Sequence, residues 1–185
     1  MPKKTFPLSQ ARLEEIIKEY PTPFHIYDEA AIRANLRRLF SAFRWAPSFR
    51  EHFAVKAAPN PYLLEIMREE GAGADCSSLA ELRLAEMAGI TGEKIMLTSN
   101  DTPANEFQKA NALGAIINLD DISHIDYLEK HAGFPACLSF RYNPGVCVAG
   151  NDIIGQPEQA KYGLTHDQLL QAYKIAQERG VKRFG

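Results

Sequence analysis

A lysine at the end of an apolar run is the residue of this sequence with the clearest capacity for chemistry. Lys56 follows Phe53, Ala54 and Val55, and the chain-breaking stretch PNP begins three residues later. A lysine that an apolar strand carries into a protein loses hydration, which favours the neutral amine and makes it a better nucleophile toward carbonyl groups. This placement predicts Schiff-base formation; the alternative is a lysine whose ammonium group reaches solvent at a strand end.

Two further charged residues stand at the ends of short apolar stretches. Asp75 lies near the end of GAGADC, and a turn aspartate is the alternative interpretation there. Arg141 ends the apolar run ACLSF, and because an arginine is not easily buried unpaired, we expect a carboxylate partner. Ser78 and Glu81 have the S-x-x-E spacing of a capping box, which predicts a helix start rather than a reactive site.

These residues require a scaffold of alternating strands and helices. Two amphipathic helices are predicted first, in ARLEEIIKEY and from the N-cap Asp28 onward, with a short strand FHIY between them. Strands are then predicted in EHFAVK, GAGADC, KIMLTS, AIINL and ACLSFRY, each followed by a one-sided helix or, for the last, by a loop from Asn143 to Gly163. A capping box of Thr165 and Gln168 opens one more helix, and VKRFG begins another strand.

Short apolar strands that alternate with one-sided helices are typical of right-handed parallel βα units. The close spacing of the units favours a parallel TIM-type (β/α)8 barrel over an open sheet, although periodicity leaves a doubly wound fold open. About six barrel strands are counted from Phe53 onward, so we expect an incomplete barrel with more chain to follow. Residues 1–27 are predicted to be an amino-terminal helix and strand, and residues 28–185 the first part of the barrel.

Composition limits the classes of function. The 185 residues carry 21 basic and 23 acidic side chains, for a formal charge of -2, which predicts no general attraction to nucleic acid or anionic membrane. The sequence has neither a bilayer-length apolar stretch nor a signal-peptide pattern, so we expect a cytoplasmic protein. The three cysteines lack CxxC spacing and the five histidines lack metal-ligand spacing, which predicts neither a disulfide framework nor a metal site.

The amino-acid sequences of several segments resemble those of the fold-type III pyridoxal phosphate dependent amino-acid decarboxylases. FAVKAAPNP is similar to the Schiff-base lysine strand of that family, and the resemblance continues in order through GAGADCSSLAEL, TSNDTPANEF, FRYNPG and AKYGL. It is strongest for diaminopimelate decarboxylases, because TPFHIYD and a long helix precede the lysine strand. DCSSLAEL is closer to the wording of the ornithine-type enzymes, and alanine racemases match less well after the lysine.

The resemblance implies a function and a cofactor. Lys56 would hold pyridoxal 5'-phosphate, and Asp75 and Arg141 would form an ion-pair network beneath its ring that fixes the lysine. The implied reaction is decarboxylation of an amino acid, with meso-diaminopimelate converted to L-lysine as the leading prediction. Alternatives are decarboxylation of ornithine, lysine, arginine or a D-amino acid, a catalytically silent cofactor-binding homologue, and a lysine-dependent aldolase barrel.

The resemblance also implies a homodimer with shared active sites and a carboxyl-terminal β-domain. Groups that bind the phosphate, stack on the ring and read the substrate are expected beyond Gly185. Residues 148–159 are predicted to belong to a mobile loop near the active site, and Lys161 matches a position often found in contacts between subunits.

Overall fold

A computed structural model describes residues 6–144 and 162–185 of the chain. Its centre is a five-stranded sheet in which every neighbouring pair is parallel. The strands follow one another across the sheet in chain order: β1 (His52–Ala54), β2 (Gly73–Cys76), β3 (Ile95–Thr98), β4 (Ile116–Leu119) and β5 (Leu138–Phe140). The predicted alternation of strands and helices is therefore confirmed.

Within the described residues, seven α-helices accompany the sheet. They are α1 (Gln10–Glu19), α2 (Glu29–Ala42), α3 (Pro61–Glu69), α4 (Leu79–Met87), α5 (Ala104–Ala112), α6 (His124–Ala132) and α7 (His166–Glu178). Strand neighbours in chain order, joined by right-handed crossovers, place their helices on one face of the sheet. A doubly wound sheet needs a reversal of strand order, which these five strands do not show.

The helix-covered face of the sheet is the hydrophobic core. Alternate strand positions, such as Ala74, Leu97 and Ile117, are buried there against apolar side chains of the helices, such as Leu82 and Phe107. Because side chains alternate along a strand, the intervening positions face the other way. We call that second side the concave face, and helix packing leaves much of it partly accessible.

Sequence-coded caps begin the helices where they were predicted. The side chain of Asp28 accepts a hydrogen bond from the backbone N–H of Ala31, which starts α2. Thr165 and Gln168 form both hydrogen bonds of a capping box at the start of α7. Such caps satisfy N–H groups that have no partner inside a helix.

Two predicted strands differ from the observed ones. FHIY forms no strand within the described residues, because no neighbouring strand there offers it a backbone partner and Ile26 and Tyr27 stay exposed. VKRFG does not form a full strand, because Phe184 makes a single isolated parallel bridge to Leu138. Of the six predicted strands, five are observed as strands and the sixth as this one bridge. Each difference follows from pairing, which strand propensity alone does not provide.

Helix α1 forms as predicted but buries none of its residues. Its amphipathic stripe was predicted correctly, and Leu13 and Ile16 on that stripe are partly buried. Cys76 and Cys137 are buried free thiols, as expected of small apolar residues. Cys147, Lys161 and the predicted mobile loop at 148–159 lie outside the described residues. No helix of the described residues is both long and apolar enough to cross a membrane.

Candidate active site

Lys56 lies at the carboxyl edge of the sheet, directly after β1. The strand ends at Ala54, and a single 3-10 turn, Val55–Ala57, contains the lysine. Asn60 then caps α3 by accepting a hydrogen bond of 3.0 Å from Tyr62 N, with Pro61 as the first helical residue. The PNP stretch thus ends the turn and begins a helix, which leaves the lysine at the edge where parallel α/β proteins place their reactive groups.

The prediction that Lys56 is poorly hydrated is wrong, because its side chain is exposed among the residues that the structure describes. EHFAVK was predicted to be a strand that ends on the lysine, whereas the strand is shorter and Lys56 is exposed. A 3-10 turn rotates successive side chains by about a third of a circle, so the strand alternation that would bury one of them stops at Ala54. The amine is accessible to a ligand at the sheet edge.

Asp75 is a carboxylate near enough to Lys56 for the charge of the lysine to act on its pKa. It lies opposite Ala54 in the register of β1 and β2 and opposite Met96 in that of β2 and β3, on the concave face. Burial raises the pKa of Asp75 above its ordinary value, whereas hydrogen bonding by Thr98 and the positive charge of Lys56 act to lower it. The protonation of Asp75 is therefore coupled to the charge of the lysine.

Polar side chains continue from Asp75 across the concave face. Thr98 and Asn118 are register partners on β3 and β4, and Asn118 Nδ2 donates a hydrogen bond of 3.4 Å to Thr98 Oγ1. Ser139 is the partner of Asn118 on β5. We call Asp75, Thr98, Asn118 and Ser139 the polar row. The polar row provides the concave face with hydrogen-bonding groups. The neighbouring strand residues that point to the opposite face, such as Leu97 and Leu119, are apolar and buried.

Arg141 has the carboxylate partner that was predicted for it, and this partner is Asp120. Arg141 Nη1 lies 3.0 Å from Asp120 Oδ1, an ion pair in which neither Asp120 oxygen has a well-aligned hydrogen bond within the described residues. Burial raises the pKa of Asp120, and the charge of Arg141 acts to lower it. Arg141 is therefore paired with Asp120 at the β4–β5 side of the sheet, whereas Asp75 lies at the β1–β2 side, where Lys56 acts on its pKa by charge.

Ser78 and Glu81 have the structural role that was predicted for them. Ser78 Oγ accepts a hydrogen bond from Glu81 N and caps α4. The Glu81 carboxylate accepts hydrogen bonds from Ser77, at 3.1 Å from its N and 2.9 Å from its Oγ. This cap also places a negative charge close enough to act on the pKa of Asp75, which it raises.

Sequence reasoning missed Asp120, Thr98 and Asn118. The signal for them was the alternation of the strands, because Asn118 and Asp120 are two residues apart at the end of AIINL and share a face. The register of β4 and β5 was also needed, since it places Asp120 beside Arg141. That register is a property of the assembled sheet, and no local pattern in the sequence states it.

The described residues fit a cofactor that carries an aldehyde. An accessible primary amine stands at the sheet edge, a half-buried carboxylate lies beside it, and hydrogen-bonding groups line the adjoining concave face. Lys56 would hold the aldehyde carbon, and the polar row and Arg141 would face the rest of the molecule. Fold and site together define a parallel α/β protein with an accessible lysine at the sheet edge where such folds bind ligands.

Comparison with known proteins identifies the class. The chain belongs to the family described as pyridoxal-dependent decarboxylase, pyridoxal binding domain, whose model matches residues 29–185. The resemblance that was noted in the sequence motifs is thereby confirmed, and so is pyridoxal as the cofactor of the family.

Individual relatives agree with this assignment. Protein TabA from Pseudomonas amygdali pv. tabaci is 42% identical over 183 residues, which cover 99% of this chain and 42% of TabA. A diaminopimelate decarboxylase from Methanothermobacter thermautotrophicus is 34% identical over 92% of this chain and 40% of its own length. The chain thus spans about two-fifths of the length of these curated relatives.

Solved structures show the same fold. Diaminopimelate decarboxylase from M. jannaschii, crystallised with L-lysine, superposes with a TM-score of 0.80 at 27% identity over 92% of this chain and 42% of that one. The similarity confirms the predicted fold class, a parallel α/β barrel of which this chain contains a part.

Proposed function

We propose that the chain is the cofactor-binding part of a pyridoxal phosphate dependent amino-acid decarboxylase. The observation that carries the proposal is the position of Lys56, whose accessible amine lies beside Asp75 at the carboxyl edge of the sheet in a member of this family. Pyridoxal phosphate, when bound, withdraws electrons from the substrate α carbon and so allows its carboxylate to leave as carbon dioxide. The protein supplies binding, orientation and electrostatics.

Three residues have distinct roles in this proposal. Lys56 would hold the cofactor through its aldehyde carbon. Asp75 would help to orient the Lys56 amine, and because burial raises the pKa of Asp75, it holds a proton more readily than an exposed aspartate does. Arg141, fixed by Asp120, supplies positive charge for the anionic cofactor.

We propose meso-diaminopimelate as the substrate and L-lysine as the product. Support comes from the names of several relatives and from the M. jannaschii structure, which contains L-lysine. TabA, at 42% identity, carries a name that states no substrate, so decarboxylation of ornithine, lysine, arginine or a D-amino acid is kept as the alternative. A catalytically silent cofactor-binding homologue is the remaining alternative. We further propose a cytoplasmic homodimer, by analogy with the family motifs.

The test measures carbon dioxide release by the full-length protein. The wild type, Lys56→Ala and Lys94→Ala are each supplied with pyridoxal phosphate and screened against diaminopimelate, lysine, ornithine and arginine in both stereochemistries. Lys94 is the matched control, because it is an exposed lysine at the opposite, amino edge of the sheet, just before β3.

We expect release from meso-diaminopimelate by the wild type and by Lys94→Ala, and a loss of at least a hundredfold in Lys56→Ala. Release from a different amino acid alone would assign that substrate instead. Cofactor binding without release from any of them would support the silent homologue. Undiminished turnover in Lys56→Ala would reject the proposal.

A further inference from the structure

Asp120 and Arg141 stand side by side at the ends of neighbouring strands. Asp120 directly follows β4 and Arg141 directly follows β5, and Arg141 N donates a hydrogen bond of 2.9 Å to Leu119 O. Since Asn118 and Ser139 are register partners, the residues two positions further along also share the concave face. The backbone therefore places an anionic and a cationic side chain opposite each other on neighbouring strands, next to the polar row.

The two partners differ greatly in accessibility. The Asp120 side chain is 3% exposed and that of Arg141 is 40% exposed. A buried carboxylate is stable as an ion only when a positive charge or hydrogen bonds compensate for its lost hydration. Within the described residues neither Asp120 oxygen has a hydrogen bond of good geometry, so the guanidinium of Arg141 is its main compensation. His124 adds a smaller favourable charge, and Asp121 an unfavourable one.

Arg141 is also restrained on its other sides. Its guanidinium carbon lies 5.7 Å from the centre of the Tyr162 ring, within the range of a cation–π contact. A Cβ atom at Gly163 would lie 3.1 Å from Arg141 Cγ, so the backbone there approaches the side chain closely. An arginine that is 40% exposed would otherwise sample many rotamers, each of which removes the charge from the concave face.

We infer that Asp120 is a positioning residue, whose carboxylate holds the Arg141 guanidinium beside the polar row so that it is preorganised for an anionic ligand. The inference rests on the proposed function and identifies a residue on which cofactor affinity depends without touching the cofactor. Preorganisation increases affinity because the rotamer entropy of Arg141 is already lost before the ligand binds.

A double-mutant cycle in the full-length protein tests the inference. Asp120→Asn, Arg141→Met and the double variant are compared with the wild type in the dissociation constant for pyridoxal phosphate, measured by absorbance titration. Thermal unfolding of the cofactor-free proteins is measured in parallel. Asp126→Asn serves as the control, because this exposed aspartate also pairs with an arginine, Arg179, but lies on a peripheral helix.

We expect Asp120→Asn to weaken cofactor binding about tenfold, and the double variant to bind no more weakly than Arg141→Met, because Asp120 acts through Arg141. In the cofactor-free protein, Arg141→Met should lower the unfolding temperature, since it leaves the buried carboxylate uncompensated. The double variant should regain the loss, and Asp126→Asn should bind the cofactor as the wild type does. Arg141→Lys replaces Arg141→Met in the cycle if the latter does not fold.

Wild-type affinity in Asp120→Asn, or a loss on Asp120→Asn that persists undiminished in the Arg141→Met background, would overturn the inference. If the wild type binds the cofactor through a lysine, neither of these two results contradicts the proposed function. A wild type that does not bind pyridoxal phosphate would reject both.

Discussion

Ala54 and Asp75 are direct partners in the parallel register of β1 and β2. Lys56 follows Ala54 by two residues, so the turn after β1 brings its amine to the edge near Asp75, and its positive charge acts on the pKa of that carboxylate. The register of two short strands thus joins the two groups, although 18 residues of chain separate them.

Replacing Asp75 by Asn should change how stability depends on pH. Burial raises the pKa of Asp75 in the folded state above its ordinary value near 3.8, so its favourable contribution exists below that value and is lost as pH rises through the folded pKa. The free energy of unfolding of Asp75→Asn, relative to that of the wild type, should therefore increase as the pH is raised from 3.5 to 7.5. Urea unfolding at both pH values measures this, and a difference that does not change with pH would contradict it.

Glu70 should have the opposite dependence. It accepts two hydrogen bonds from Arg37, of 2.7 and 2.6 Å, and one from Arg33 of 3.1 Å, which hold α2 against the end of α3. These contacts, led by Arg37, lower the pKa of Glu70 from 4.5 to about 2. Its contribution to stability is present above pH 4.5 and is lost as pH falls toward 2.

The variant that tests this is Glu70→Gln, which should be less stable than the wild type at pH 7 and approach it in acid. Glu69→Gln is the control, because this carboxylate is more exposed and, among the residues that the structure describes, bonds to Arg33 alone. Thermal unfolding across this pH range follows the difference. Equal effects of the two substitutions at pH 7 would argue against a special role for Glu70.

Gly73 should not tolerate a side chain. A Cβ atom there would lie 2.1 Å from Lys94 O and 2.9 Å from His52 Cδ2, and the Lys94 backbone cannot move away without disturbing the β2–β3 pairing, in which Ile95 lies opposite Ala74. Gly73→Ala should prevent accumulation of folded protein. Gly133→Ala is the matched control: the backbone there has a φ of 71° and a ψ of 171° but open space around it, so backbone strain alone should cost about 1–3 kcal/mol. Soluble yield and unfolding free energy distinguish the two, and a stable Gly73→Ala protein would be inconsistent with the sheet register.

Phe107 should be the more costly of two apolar truncations. It is 1% exposed in the core, where its ring contacts those of His124 and Tyr127. Phe107→Ala should lower the free energy of unfolding by about 3–5 kcal/mol, because it leaves a cavity between α5 and α6. Leu170→Ala, on the exposed side of α7, should change it by less than about 0.5 kcal/mol. Denaturant titration measures both, and similar values would contradict the core described above.

The sequence predicts most of the scaffold because local signals determine it. Caps at Asp28, Ser78 and Thr165, the PNP stretch after Lys56 and the alternation of apolar strands with one-sided helices were each interpreted correctly. These signals act within a few residues, where propensity and hydrogen bonding to the nearest backbone groups decide the outcome.

The remaining features depend on contacts that are distant in the chain. FHIY has strand-forming residues but no strand partner in the described chain, and the Asp120 partner of Arg141 becomes visible only through the register of β4 and β5. The exposure of Lys56 likewise depends on where β1 ends, which its pairing with β2 decides. Residue identity indicated the type of chemistry, whereas the assembled sheet selected the partners.

The most direct test of the account is to locate the covalent attachment of the cofactor. The full-length protein is mixed with pyridoxal phosphate, reduced with borohydride, digested and examined by peptide mass spectrometry. We predict a phosphopyridoxyl mass on the peptide that contains Lys56, and no such mass in Lys56→Ala. Modification of Lys94 or another lysine in place of Lys56, or no modification at all, would contradict the central claim.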